Sequence, residues 1–540
     1  MKMAMNRNGD VAVVARESIV AQASCLHGGG GGTICSRVVR MFRLAMDTLV
    51  QAGVAPTSHL NGDVAPAIRL RIVRMLQLPV RATVQARYLR YVGGFAVLSL
   101  FSISSMAQVK LPLKPNVTLL ALKKMPERFV LKGAVVHTVS GATFSPGEVL
   151  VEKGKILAVG KSVESGSAQV IDVAGLHLYP GLISAAANIG LVEVSAVRST
   201  RDMSEVGAYT PDVRSWLAVN PDSELIPVAR AGGITHSLVV PSGGTISGQS
   251  GVIQLTGWGM EEMAVEKPVA LHVWWPSMRL RLAPKHKLNE PKNWKSPEVQ
   301  DKDRKKRLNE LIEFFDDARA YSKAKAAAAN DKSIRFLSVP AWEAMIPYVA
   351  GSKPVMVHAD DARQIRAAVD WSRTNQFKMI LCGGEEAWKT AALLASNNVP
   401  VIYEHVFALP ADDVDAYDQP FKNPELLRKA GVKVAISVGM GRFGASSLRD
   451  LPHAAGHARA FGLAENEAVK TITLNPAQIL GIGKRLGSIE QGKDATLIAV
   501  NGSILDVRAS VQRMWIAGEE VGLASRHTRL YEKYQQRPRR

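Results

Sequence analysis

The alternation of short apolar strands with helical stretches, over about 300 residues, limits the folds open to this chain more than any other feature. Several of the strands are separated by amphipathic segments, such as 362–369 and 386–396. Because parallel strands need long crossover connections, this order favours a parallel sheet closed into a barrel. The sequence therefore predicts an α/β fold with a TIM-like (β/α)8 barrel. Its candidate strands are 234–240, 269–273, 355–357, 379–381, 399–402 and 432–438.

Short β-rich segments without intervening helices flank this region on both sides. Residues 129–139 and 147–160 precede it, and residues 495–500 and 513–523 follow it. Each set has too few strands to bury a face alone, since an isolated hairpin is marginal in water. We therefore expect a composite β-sandwich domain formed by both ends of the body. The predicted domains are 129–176 with 484–523 for the sandwich, 177–483 for the barrel and 524–540 for a basic tail.

Charge and composition exclude some partners. Hydrophobic residues make up 47% and charged residues 21% of the chain, as in a globular protein with ample core material. The formal net charge of +19 suggests nucleic-acid binding, but twelve basic and four acidic side chains lie within the first 90 residues. The basic run 301–307 has no aromatic-interleaved binding module beside it, which favours a solvated helix face. We expect no nucleic-acid partner, and the sequence leaves a homo-oligomer open.

The front of the chain has the pattern of an export signal. Arg81, Arg87 and Arg90 precede the uncharged stretch 91–107, which ends in small residues around Met106. A basic start, a short apolar run and a small-x-Ala ending are typical of a secretory signal peptide, although a short buried helix has similar composition. We expect a signal peptide at 75–107 after a disordered extension, and a periplasmic or extracellular location. No apolar run reaches the ~18 residues of a membrane span.

Two segments carry a resemblance to a known family. Pro180-Gly181-Leu182-Ile183 follows a β-rich lead, and residues 473–481 (Thr-Leu-Asn-Pro-Ala-Gln-Ile-Leu-Gly) precede residues 487–497. Together they resemble the two ends of the barrel in the amidohydrolase superfamily, most closely the imidazolonepropionase-like amidohydrolases, over residues 129–523. The resemblance implies a hydrolase of C–N bonds other than peptide bonds, acting on cyclic amides or related small molecules with zinc or another divalent metal.

The metal ligands implied by the resemblance are mostly replaced. Ala186 and Asn188 stand where the first strand would supply two histidines, and Gly439 stands where the eighth strand would supply an aspartate. No histidine lies near 381–384 at the end of the sixth strand, and only His358 on the fifth strand matches. Catalytic zinc needs about three protein ligands. We therefore expect a degenerate metal site, with no metal ligand assigned and no cofactor.

Three residues at the expected carboxyl ends of the strands are candidates for catalysis. His358 ends the fifth strand and could act as a base, as a hydrogen-bond partner of the substrate or as a structural core residue. Glu404 and His405 follow the seventh strand, and a carboxylate beside an imidazole suits acid–base chemistry. Adjacent strand residues point to opposite faces, so only one of the two is expected to face the site. Together with Cys382, Glu404 and His405 are also the remaining candidates to replace the missing metal ligands.

The segment 241–251 is the candidate for substrate binding. Ser242, Gly243 and Gly244 lie at its start, where backbone N–H groups could bind an anionic substrate or an oxyanion. A tight loop between strand and helix would use glycine in the same way. Asn188 is the further candidate, because it stands at a ligand position of the first strand.

These observations predict an exported hydrolase that acts on a C–N bond of a small molecule with altered or metal-free chemistry. The alternative is a barrel that binds a ligand or partner without turnover. The substrate is a small molecule in the first case.

Overall fold

The computed structural model describes residues 125–280, 282, 294–331, 333, 335–441 and 443–538. The extension, the signal-like segment 75–107, Cys25 and Cys35 lie outside the described residues. None of the described helices is both long and apolar enough to cross a bilayer.

The described strands fall into two eight-stranded sheets. In chain order they are β1 (Arg128–His137), β2 (Thr143–Glu152), β3 (Lys155–Gly160), β4 (Gln169–Asp172), β5 (His177–Pro180), β6 (Leu182–Ala187), β7 (Ile234–Val239), β8 (Ile246–Gln254), β9 (Ala264–Trp274), β10 (Val355–Ala359), β11 (Met379–Gly383), β12 (Val401–Tyr403), β13 (Val434–Ile436), β14 (Leu497–Val500), β15 (Val511–Ile516) and β16 (Glu519–Glu520).

The first sheet, called the terminal sheet, joins strands from both ends of the body. Its order is β16-β15-β14-β5-β1-β2-β3, with β4 paired to β1. The junction is antiparallel pairing of β14 with β5, in which Leu497 lies opposite Pro180. Phe129 and Leu131 of β1 share a buried cluster with Trp515 of β15. Neither end of the chain could bury these side chains alone, so the expected composite β-structure is confirmed as part of the fold class.

The second sheet, called the barrel sheet, runs in chain order from β6 to β13. It closes where Ala187 of β6 pairs in parallel with Gly439, just beyond β13. Inside it lies an apolar cluster that includes Ile183, Met356 and Ile402. Side chains therefore fill the barrel interior, and the expected TIM-like barrel is confirmed.

The expectation of a wholly parallel barrel is wrong for the third strand. β8 pairs antiparallel with both β7 and β9, whereas the strands from β9 to β13 pair in parallel. Antiparallel neighbours need no long crossover, so the few residues 240–245 connect β7 directly to β8. The predicted loop 241–251 is therefore mostly strand, since β8 begins at Ile246. Its Ser and Gly residues have little strand preference, so the sequence did not indicate this strand, which is buried along almost its whole length.

Helices pack against the outer face of the barrel sheet. The longest, Pro297–Asn330, buries Leu311, Phe315 and Ala318. The basic run 301–307 lies on this helix, where Asp301 forms ion pairs with Arg304 and with Lys305, the latter at 2.9 Å. The other described α-helices are Leu225–Ala231, Met260–Met263, Pro340–Val349, Ala362–Thr374, Ala391–Ser396, Gln419–Lys429, Gly444–Ser447, Leu451–Ala460, Glu465–Thr471, Leu474–Ile479 and Arg526–Gln535.

Candidate active site

The upper interior of the barrel is polar at the carboxyl ends of β9 to β13. Alternation along the strands directs every second residue inward. The interior apolar residues Ala270, Met356, Ile380, Ile402 and Ala435 are therefore each followed two positions later by an inward-facing polar or thiol side chain. These side chains are His272, His358, Cys382, Glu404 and Ser437. We call residues 358–360, 382–385 and 403–405, which end β10, β11 and β12, the barrel mouth.

His358 is held in a buried pair with His272. Nε2 of His358 lies 2.9 Å from Nδ1 of His272, and the ring of Trp274 stacks on His358 with centroids 3.8 Å apart. Trp274 is itself held by Ser247, whose Oγ accepts from Nε1 at 3.0 Å. Burial lowers the pKa of His358 to about 3. His358 is therefore a neutral, sterically enclosed imidazole, and its pairing suits a positioning role better than proton transfer.

His405 forms a hydrogen bond with Asp360 across the mouth. The distance from His405 Nε2 to Asp360 Oδ1 is 2.8 Å, and the side chains are 24% and 52% exposed. Burial alone would lower the pKa of His405, but the hydrogen bond to Asp360 and the charges of Asp360, Glu404 and Glu385 raise it above its usual value. The pair is thus a solvent-accessible imidazole–carboxylate couple of the kind used in acid–base catalysis.

The neighbouring carboxylates of Asp360 and Asp361 have different hydrogen-bond partners. Asp361 caps the helix Ala362–Thr374, since its Oδ1 accepts from the backbone N–H of Arg363 and Gln364, both at 2.9 Å. Because Asp361 caps the helix, the carboxylate of Asp360 can form its hydrogen bond with His405.

Glu404 lies beside Cys382 at the top of the barrel interior. Burial, and then the charge of Asp360, raise the pKa of Glu404 to about 7, although His405 and Cys382 oppose this. Its Oε1 atom is buried and has no hydrogen-bond partner among the described residues. Burial also raises the pKa of the Cys382 thiol well above its usual value. Glu404 can therefore hold or release a proton near neutral pH, whereas Cys382 stays a thiol.

Glu404 and His405 both lie at the mouth, because Glu404 keeps the inward direction set by Ile402 while His405 lies beyond the end of β12 at Tyr403 and turns towards Asp360. The charge of Asp360 shifts the pKa of both residues. Sequence reasoning had expected only one of the two to face the site.

An ion-pair network surrounds the outer side of the mouth. Carboxylate oxygens of Glu386, Asp412 and Asp415 lie within 4.8 Å of one another, and this is the one group of three such ligand types among the described residues. Lys389 Nζ lies 3.1–3.4 Å from all three, and Arg279 lies 2.8 Å from Glu386. These cations already neutralise most of the carboxylate charge, so the group is an ion-pair network.

The ligand positions implied by the family resemblance do not fit a two-metal centre. Ala186 offers a methyl group, and Asn188 uses its Nδ2 to donate to Met203 Sδ at 2.9 Å. At Gly439 a Cβ would collide with the Cβ of Ala187 and lie 2.6 Å from the carbonyl oxygen of Ala186. The close approach that closes the barrel there leaves no space for an aspartate. Within the described chain, no third metal-ligating side chain joins the His272–His358 pair.

Two of the substrate-binding candidates, Ser242 and Asn188, contact Met203. The backbone N–H of Ser242 donates to the carbonyl oxygen of Met203 at 2.7 Å, and Asn188 contacts the sulfur of the same residue. Gly243 and Gly244 are exposed and have positive φ angles of 94° and 69°. These contacts tie the segment to the loop after β6, so the amide of Ser242 is already engaged within the protein.

Sequence reasoning missed His272, Glu385 and the pairing of Asp360 with His405. Alternation from Ala270 could have placed His272 inside the barrel, but no local signal places Glu385, which lies in the turn after β11. Burial raises the pKa of Glu385 above its usual value. The charges of Asp360 and Glu386 act in the same direction, whereas the charges of His405 and Arg279 oppose them.

A cavity lies at the opposite end of the barrel from these groups. It has a volume of about 710 Å³ and is lined by Val269, Pro354, Ile380 and Pro400, at the amino ends of β9 to β12. Barrel enzymes place their chemistry at the carboxyl ends. The convergence of titratable groups at the mouth therefore outweighs cavity size in locating the site.

Comparison with known proteins independently supports the resemblance to amidohydrolases. A model of the amidohydrolase family matches residues 386–521. The chain is 24% identical over 409 residues to amidohydrolase tasK of Hapsidospora irregularis, covering 69% of this chain and 39% of that protein. The chain thus spans about two fifths of the length of that curated relative. A solved amidohydrolase from Thermotoga maritima MSB8 matches with a TM-score of 0.63 at 26% identity, covering 73% of this chain and 99% of that one.

The closed barrel with its polar mouth, joined to the terminal sheet, is the architecture of a TIM-like barrel protein. The family model, the curated relative and the solved structure together support membership of the amidohydrolase superfamily, as the two end segments of the barrel predicted.

Proposed function

We propose that this protein hydrolyses a C–N bond of a small cyclic amide with its own acid–base groups instead of a two-metal centre. The observation that carries the proposal is the 2.8 Å hydrogen bond between His405 and Asp360 at the barrel mouth. It is supported by the replaced ligands Ala186 and Gly439, neither of which offers a ligand atom. Zinc in family members would activate water and polarise the carbonyl group, and here a protein group must activate the water.

The roles follow from the contacts. With Nε2–H of His405 donating to Asp360, Nδ1 is left to accept a proton from the attacking water. The water oxygen bonds to the amide carbon, the C–N bond breaks, and His405 passes the proton it has taken from the water to the departing nitrogen, which restores the neutral imidazole. Glu404, as a carboxylate, binds the substrate beside them. His358 and His272 position the wall of the site through Trp274.

The experiment is a turnover assay on a panel of five- and six-membered cyclic amides, with protein purified in EDTA and its metal content measured. We expect hydrolysis with less than ~0.1 metal per chain, and a loss of about 100-fold or more in kcat for His405→Asn. His453→Asn, in a surface helix, is the matched control and should keep wild-type activity. Turnover that tracks metal content would overturn the metal-free chemistry. Absence of turnover with the whole panel would favour the alternative, a barrel that binds without catalysis.

We also propose export, from the signal-like segment 75–107. Sequencing the amino terminus of protein from a cell envelope or culture medium tests this. A start near Gln108 is expected, and protein confined to the cytosol with residues 75–107 intact would contradict it.

A further inference from the structure

The barrel mouth has the opposite charge sign to the chain as a whole. The chain carries a formal charge of +19. At the mouth, however, Asp360, Glu385 and Glu404 follow three consecutive strands, and His405 is the basic side chain placed among them. Among the described residues the outer network does not reverse this sign, since its three carboxylates, Glu386, Asp412 and Asp415, pair with two cations, Arg279 and Lys389. A concave site lined by one sign of charge concentrates ligands of the other sign.

Buried hydrogen-bonding atoms near the mouth have no partner among the described residues. These are Oε1 of Glu404, Oδ1 of Asn188 and Nε2 of His272. Asn188 is 2% exposed and His272 is fully buried. Nearly all buried polar atoms in folded proteins have a hydrogen-bond partner, so this concentration of unpaired atoms at one end of the barrel points to a ligand that supplies donors. Both oxygens accept hydrogen bonds, which calls for a donor-rich group.

We infer that the barrel mouth binds a small organic cation, an amidinium or ammonium group whose N–H atoms donate to the carboxylate of Glu404, with Asp360 and Glu385 adding charge around it. This inference rests on the proposed function, because the cation would lie on the same molecule as the C–N bond that breaks. A planar amidinium has paired donors that match both oxygens of a carboxylate. The site would therefore prefer cationic amides over neutral or anionic ones.

Calorimetry with three probes of nearly equal shape tests the charge preference without any need for turnover. Benzamidine is cationic, benzamide is neutral and benzoate is anionic. We expect benzamidine to bind at least tenfold more tightly than benzamide, with benzoate weakest, and the preference to fall as salt is raised. Equal affinities, or a preference for benzoate, would overturn the inference.

Variants place the binding at the mouth. Glu404→Gln keeps the shape of the side chain and removes its charge, and it should weaken benzamidine binding at least tenfold. Glu385→Gln gives a second test if the first variant fails to fold. Asp370→Asn, an exposed carboxylate on the helix Ala362–Thr374, is the matched control and should bind like wild type. Benzamidine binding that neither mouth variant weakens would overturn the assignment.

The two proposals fail separately. If benzamidine does not bind but neutral cyclic amides are hydrolysed, only the cation preference is lost. If benzamidine binds and no amide is hydrolysed, only the hydrolysis is lost.

Discussion

Nε2 of His405 lies 2.8 Å from Oδ1 of Asp360, although 45 residues separate them in the chain. His405 follows β12 and Asp360 follows β10, and β11 lies between these two strands. The contact can form because Gly383, at the end of β11, has no side chain, and a Cβ there would collide with Oδ1 of Asp360. A glycine on the middle strand thus lets an imidazole and a carboxylate from its two neighbours meet above it.

We expect Asp360→Asn to lower the pKa of His405. The hydrogen bond and negative charge of Asp360 hold that pKa above its usual value, and without them burial would lower it. Proton NMR titration of the His405 ring measures the change directly. Asp370→Asn should leave the titration unchanged. A His405 pKa that is the same in Asp360→Asn and wild type would show that this pair is not coupled in solution.

The free energy of unfolding should fall as pH rises towards neutrality, because the folded state binds a proton on Glu404 more tightly than the unfolded state does. Its pKa is raised from 4.5 to about 7, so between these values the native state holds a proton that the unfolded state has released. The contribution is full below pH ~4.5 and is lost as pH rises through ~7, with a total of about 3 kcal/mol. Urea unfolding of wild type and Glu404→Gln across this range checks it. The two free energies of unfolding should diverge with rising pH, and parallel curves would contradict the prediction.

Replacing Gly439 by alanine should destabilise the protein by roughly 2–4 kcal/mol, because the added methyl group would meet backbone and side-chain atoms of β6 where the barrel closes. Gly259→Ala is the control, since a Cβ there has open space and the φ angle of −153° suits any residue. Denaturant unfolding compares the two. Equal stability of both variants would show that the barrel closure is looser than this contact indicates.

Deleting residues 484–540 should expose the amino-terminal strands to protease. β14 supplies the antiparallel partner of β5, and Trp515 packs in the cluster with Phe129. Limited proteolysis with mass spectrometry would locate the cuts, and we expect new ones between Phe129 and Val173. Deleting only the last residues, 536–540, should leave the pattern unchanged. Full protection of β1 in the longer truncation would contradict a shared core.

Much of the fold can be predicted from the amino-acid sequence. Apolar strands of period two, separated by amphipathic segments, indicate a barrel because that pattern is local and repeats. The segments around Pro180 and Asn475 mark its two ends. Ala186, Asn188 and Gly439 also reveal by identity alone that the ligand positions of the family have changed.

The tertiary structure alone decides which side chains meet. The antiparallel insertion of β8 is hidden by its Ser and Gly residues, which have no strong strand preference but are buried between β7 and β9. His358 looked available on its strand, yet His272 and Trp274 from β9 enclose it. His405 finds Asp360 only because the barrel brings β10 and β12 to either side of a glycine. Such contacts depend on sheet register and closure, which arise from packing across the whole chain and leave no mark in a local stretch of sequence.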